Sequence, residues 1–118
     1  MTLRRVTPSF RVKDARAAQA FYRDVLGFKT SWEDDPGDGH PVFVEIKRGD
    51  ISIHLSEHEG DGPEAVSVYI DVDDARALHA EVTGKGAEAE PPESMPWGHV
   101  VFVVTDLDGN VMRFGSVE

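Results

Sequence analysis

Two spacings of apolar residues alternate along the chain. "VTPSFRV" (6–12) has the every-second-residue pattern of a strand, whereas "DARAAQAFYRDVLGF" places Ala18, Tyr22, Val25 and Leu26 at helical spacing. Asp14 is a suitable N-cap for that helix and Gly27 a suitable stop. "KTSWEDD" (29–35) reads as a short strand broken by "PGDG". "HPVFVEI" and "DISIHLSE" then read as two strands joined by the turn "KRGD". From residue 65 the order recurs. "AVSVYIDV" is a strand, and "DDARALHAEVTGKG" is a helix capped by Asp73 or Asp74 and stopped by a glycine. "AEAEPPE" can be no more than a poor edge strand because of its prolines. "HVVFVVT" and "NVMRFGS" form a hairpin around "DLDG".

The recurrence extends to the letters. "GHPVFV" (39–44) returns as "GHVVFV" (98–103), 59 positions on, and "VKDARA" (12–17) returns as "VDDARA" (72–77), 60 positions on. Order and spacing are kept together, which is the mark of an internal duplication. The predicted fold class is therefore α+β, with two tandem βαβββ modules in a single domain, 1–118. Module 1 spans 1–60 and module 2 spans 64–118. Modules of about 60 residues are marginal alone, so the two are expected to pack together.

Alternation also divides each strand into two faces. Ile51, Ile53 and Leu55 oppose Ser52, His54 and Ser56; Val66, Val68, Ile70 and Val72 oppose Ser67, Tyr69 and Asp71; Met112 and Phe114 oppose Val111, Arg113 and Gly115. The apolar faces suit cover by each module's helix. The polar faces suit either plain solvation or the polar-aromatic wall of a ligand cleft, and the pattern alone leaves both open.

Composition narrows the chemistry. The 118 residues contain no cysteine, which removes disulfides, thiolate metal sites and cysteine nucleophiles. A formal net charge of −10 disfavours nucleic acid and anionic membranes as partners and would favour a cationic ligand. "MTLRRVTPSFRV" lacks the apolar run of a signal peptide, and no stretch is long enough to span a bilayer, so a cytoplasmic protein is expected. There is no G-x-S-x-G elbow, phosphate-binding glycine loop or H-E-x-x-H. "DLDGN" has its glycine too early for a calcium loop and lies between strands.

The paired βαβββ pattern, "FYRDVLGF" at the end of the first helix and above all "PWGHVVFVVTDLDGNVMRF" (96–114) resemble the vicinal oxygen chelate superfamily. That superfamily includes glyoxalases, extradiol dioxygenases and bleomycin resistance proteins, and the resemblance is strongest to the last. It covers essentially the whole chain. It implies a cleft-bearing mixed sheet completed in a homodimer, with or without exchange of an N-terminal strand. In the enzyme branches four strand positions hold a divalent metal, and by strand register these fall on Thr7, His54, Ser67 and Arg113. Only His54 is a good ligand, and Arg113 opposes a dication. Neither a metal, another cofactor nor a catalytic residue is therefore expected.

The bleomycin-resistance resemblance implies instead a binding protein that sequesters an aromatic or cationic antibiotic without altering it. Trp32 and Trp97 would flank the ligand. Phe43 or Phe102 would add an apolar floor, with strand register leaving their face open. His54, Ser67, Tyr69 and Arg113 would supply hydrogen bonds. Pocket shape would come from loops 34–41 and 57–65. The alternatives are a metal-dependent lyase or oxidoreductase of glyoxalase or dioxygenase type with a non-standard metal site, and a regulatory module that has lost its ligand.

Overall fold

A computed structural model describes all 118 residues. The elements follow the order β1 (Ser9–Arg11), α1 (Ala15–Asp24), β2 (Lys29–Asp34), β3 (Phe43–Arg48), β4 (Ile51–Ser56), β5 (Ser67–Asp71), α2 (Ala75–Gly84), β6 (Glu93–Ser94), β7 (His99–Thr105) and β8 (Val111–Val117). They form two four-stranded mixed sheets of identical topology, β1-β4-β3-β2 and β5-β8-β7-β6. In each sheet the first and last strands of the module are parallel and the other pairs antiparallel. The architecture is the α+β, twice-repeated βαβββ arrangement that the pattern predicts.

Local chemistry sets the element ends. Asp14 accepts from the backbone N–H groups of Arg16 and Ala17, and Asp74 from that of Ala77, so each helix has a carboxylate N-cap. Gly27 ends the first module's helical segment in a left-handed conformation, φ 74°. β1 is shorter than "VTPSFRV" suggests, because Pro8 has no N–H and contributes only its carbonyl, which accepts from His54 N. Residues 1–6 are exposed. β6 has two residues, as its flanking prolines require.

Each helix covers one face of its own sheet, and 20 buried residues drawn from both modules form one core cluster. Phe10, Tyr22, Val44, Ile46, Ile53 and Leu55 contribute from module 1; Ile70, Val82, Phe102, Val104, Met112 and Phe114 from module 2. Two polar junctions tie the modules together. At one, the Tyr22 hydroxyl donates to Asp106 in the β7–β8 turn, and fully buried Asn110 donates to the Arg11 carbonyl while accepting from Val66 N. At the other, Arg48 donates to the Leu26 carbonyl and to both carboxylate oxygens of Glu81 on α2. His79 on α2 is half-buried and meets Phe102 edge-on.

The pairing register gives the facing of Phe43 and Phe102 that the sequence leaves open. His54 and Arg113 are equivalent and 59 apart, but their partners Glu45 and Val103 are 58 apart. The cause is the turns. β3 and β4 are closed by Gly49 and Asp50 after the Arg48–Ile51 pair, whereas the Thr105–Val111 pair of β7 and β8 encloses residues 106–110; between equivalent pairs the chain runs from Glu45 to His54 in the first hairpin and from Val103 to Arg113, one residue further, in the second. A one-residue offset moves a side chain to the opposite face. Phe43 and Phe102, which match in the written repeat, therefore point in opposite directions. Phe102 is buried, stacked on Phe114 and edge-on to His79 between β7 and α2, and it also lines the back of the cleft that Val101 and Val103 border.

Candidate functional site

The open face of the first sheet carries a row that crosses all four strands. Trp32 on β2 pairs with Glu45 on β3, Glu45 with His54 on β4, and His54 with Ser9 on β1. A bulge between Thr30 and Trp32 sets the tryptophan in this register. Phe43, two residues before Glu45, lies on the same face. Its ring centroid is 5.4 Å from Trp32 and 4.8 Å from His54, so the three rings form a continuous aromatic strip. His54 Nε2 lies 2.8 Å from Glu45 Oε2, and Ser31 Oγ donates to Glu45 Oε1 at 2.8 Å. The hydrogen bonds from Ser31 and then His54 hold the Glu45 carboxyl below the usual glutamate range, with a smaller contribution from the charge of Arg5. Ser9 Oγ at the end of the row is buried without a partner.

The equivalent row of the second sheet is Val103, Arg113 and Tyr69. Arg113 donates to Ser67 Oγ at 2.6 Å. The Tyr69 ring lies across Gly115, which has no side chain to obstruct it. Trp97 stands in the turn 95–98, closed by the Gly98 N–H on the Met95 carbonyl, with Gly98 at φ 87°. These residues border a cleft of about 440 Å³ with Val101 and Val103 along its wall and Glu93 and Met95 at its edge. That volume lies within the range of small-molecule sites, roughly 300–1,000 Å³.

The structure thus brings the eight sequence-derived candidates into two groups. Trp32, Phe43 and His54 share one wall; Ser67, Tyr69, Trp97 and Arg113 share the other, with Phe102 behind them, buried in the core at the back of the cleft. Both tryptophans are open to solvent, Trp32 at 53% and Trp97 at 65%, as is Tyr69 at 47%. No hydrogen bond, ion pair or ring contact joins one wall to the other. Glu45, Ser31 and Ser9 were missed. Glu45 was legible in "HPVFVEI", where alternation places it on the face of Phe43; Ser31 was hidden by the bulge.

The four positions aligned with a divalent-metal site do not fit one. Thr7 lies outside β1, and the strand neighbours of His54 and Arg113 are Ser9 and Tyr69. Ser67 is engaged by a guanidinium that cannot lose its charge. No third His, Asp or Glu joins Glu45 and His54 as a possible ligand set. No helix is long and apolar enough to cross a membrane.

A glyoxalase superfamily model matches residues 1–118. The chain belongs to the glyoxalase superfamily. Among curated proteins no sequence match is found. Several solved structures are similar to it over nearly their whole length. A bleomycin resistance determinant encoded on the transposon Tn5 superposes with a TM-score of 0.80 over 98% of this chain and 99% of its own, at 24% identity, and so shares the fold. The bleomycin-binding protein from the bleomycin producer Streptomyces verticillus, solved with copper(II)-bleomycin, is 28% identical over 100% of this chain and 99% of its own, with a TM-score of 0.74. TnmS3, an antibiotic binding protein from Streptomyces sp. CB03234, is 26% identical over 100% and 99%, with a TM-score of 0.76.

Proposed function

We propose that this glyoxalase-superfamily protein is a non-catalytic binding protein of the cytoplasm that sequesters a planar aromatic or cationic antibiotic. The observation that carries this reading is Trp97, 65% exposed at the edge of a 440 Å³ cleft beside Tyr69 and Arg113. A large aromatic side chain left in solvent beside a concave apolar wall is suited to stacking on a flat ligand. Relatives at 28% and 26% identity bind antibiotics, bleomycin in one case, which supports the same role here. The donor set around His54 and Arg113 supports binding over metal-assisted chemistry.

The working form in this reading is a homodimer. The radius of gyration, 14.9 Å, exceeds the roughly 13.5 Å of a compact chain of this length. Both polar-aromatic walls are uncovered, each lacking the opposite wall that would enclose a ligand. A two-fold pairing sets the Trp32 wall of one subunit against the Trp97 wall of its partner and makes two clefts.

Titration with bleomycin, its copper(II) complex and a panel of planar aromatic antibiotics, followed by tryptophan fluorescence, tests the proposal. Saturable quenching that is lost in Trp97→Ala is expected, with the ligand recovered unchanged by mass spectrometry. A chemically altered ligand, or no quenching by any compound, overturns it.

A further inference from the structure

Glu45 stands at the centre of the first wall, flanked by Trp32 on one side and His54 on the other. Its side chain is 18% exposed and opens onto the same face as the Phe43 ring, whose centroid is 5.4 Å from that of Trp32. An ionised carboxylate offers about four acceptor positions. Ser31 and His54 fix both oxygens in place while leaving acceptor capacity on each. The fold does not need an acid here, since the equivalent residue of module 2 is Val103. A fixed carboxylate beside an aromatic strip is the combination that receives a cationic nitrogen. The carboxylate forms a charge-assisted hydrogen bond, and the ring faces attract the cation.

We propose that Glu45 is the charge-selecting group of the cleft, accepting a cationic nitrogen of a ligand whose ring system lies on Trp32. This rests on the sequestration reading and adds a residue and a ligand charge to it. His54 and Ser31 are positioning residues that aim the carboxylate.

The test compares two planar probes of almost the same shape, 10-methylacridinium, a fixed cation, and acridine at pH 8, which is neutral. Tryptophan quenching of the intact protein gives both affinities. The wild type is expected to prefer the cation by about tenfold, the scale of one charge-assisted contact. Glu45→Gln should bring the two affinities within about threefold by weakening the cation far more than acridine. Glu88→Gln, at an exposed site outside the cleft, removes the same charge and should keep the preference. Equal affinities in the wild type, or a preference that survives Glu45→Gln, overturns the assignment and leaves sequestration standing. Loss of the preference in Glu88→Gln as well overturns it in favour of the general field of a chain with net charge −10. Quenching by neither probe overturns the assignment, and the antibiotic titration alone then decides sequestration.

Discussion

The phenol of Tyr22 donates a 2.8 Å hydrogen bond to Asp106 Oδ2, joining the last turn of α1 to a turn 84 residues away in the other module. Both residues are buried, and burial followed by the charge of Asp106 pushes the phenol far above its ordinary pKa, so it stays a donor at every working pH. The other oxygen of Asp106 accepts from the backbone N–H groups of Asp108 and Asn110, which shapes the β7–β8 turn. Tyr22→Phe leaves that carboxylate short of a donor in a dry site. The expected cost is about 1–3 kcal/mol, read as a lower urea midpoint with an unchanged slope. An unchanged midpoint would mean that water replaces the phenol and the junction is not closed.

The opposed faces of Phe43 and Phe102 give two substitutions with inverse outcomes. Phe102 is stacked in the core, and Phe102→Ala is expected to destabilise by about 3–5 kcal/mol. Phe43 is part of the exposed strip, so Phe43→Ala should cost at most about 1 kcal/mol of stability while weakening ligand binding several-fold. Denaturation and fluorescence titration of both variants decide the matter. A Phe102→Ala protein that is stable and defective only in binding would restore the arrangement suggested by the written repeat.

That pair also shows where the sequence was legible. Periodicity of 2 and 3.6 revealed the tandem modules, because each strand has one greasy face and each helix one greasy stripe. The cap at Asp14, and one at Asp73 or Asp74 that the structure gives as Asp74, were readable because short polar side chains satisfy the first free N–H groups. The register between strands was not readable. It depends on how many residues each turn uses, and the buried carboxylate of Asp106 stabilises a longer turn than Gly49–Asp50 makes. The same limit hid Ser31, since a bulge changes which side chains share a face. The facing of His54 and Arg113 within their own strands was readable, because alternation along one strand does not depend on that count.

Gly115 tests how tightly the second wall is organised. A methyl group there would overlap the Tyr69 hydroxyl and ring, so Gly115→Ala should swing the ring away from Arg113. Tyr69 is half-exposed and can move, so stability should fall by no more than about 1 kcal/mol. Affinity for an aromatic ligand should fall further than in Tyr69→Phe, which keeps the ring in place. The reverse order in titration would show that the hydroxyl, and not the ring position, matters.

Acid should loosen the second junction. Its Glu81 carboxyl is held below the ordinary glutamate range by the hydrogen bonds from Arg48, assisted by the nearby charges of Arg48 and Lys85. The folded chain therefore binds protons more weakly at this group than the unfolded chain. Its stabilisation is complete above the unfolded pKa, about 4.3, and is lost as the pH falls through the lower folded value. Both partners are more than a third exposed, so the effect is partly screened. Unfolding midpoints should be level from pH 7 to about 5 and decline below about 4, more gently in Glu81→Gln. Identical profiles for the two proteins would remove this junction as a source of acid sensitivity.

Mixing two inactive variants tests the shared cleft. If each cleft combines the Trp32 wall of one subunit with the Trp97 wall of its partner, Trp32→Ala and Trp97→Ala homodimers lack every complete cleft. A mixed dimer has one cleft missing both tryptophans and one with both intact. After partial unfolding and refolding of equal amounts, half the dimers are mixed, so about a quarter of the wild-type sites should return. A cleft built within one chain gives no recovery at any ratio, because each chain still carries its own lesion. Titration of the refolded mixture against the separately refolded variants distinguishes the two arrangements. Recovery of sites also shows that the exposed faces at Trp32 and Trp97 meet across a subunit boundary.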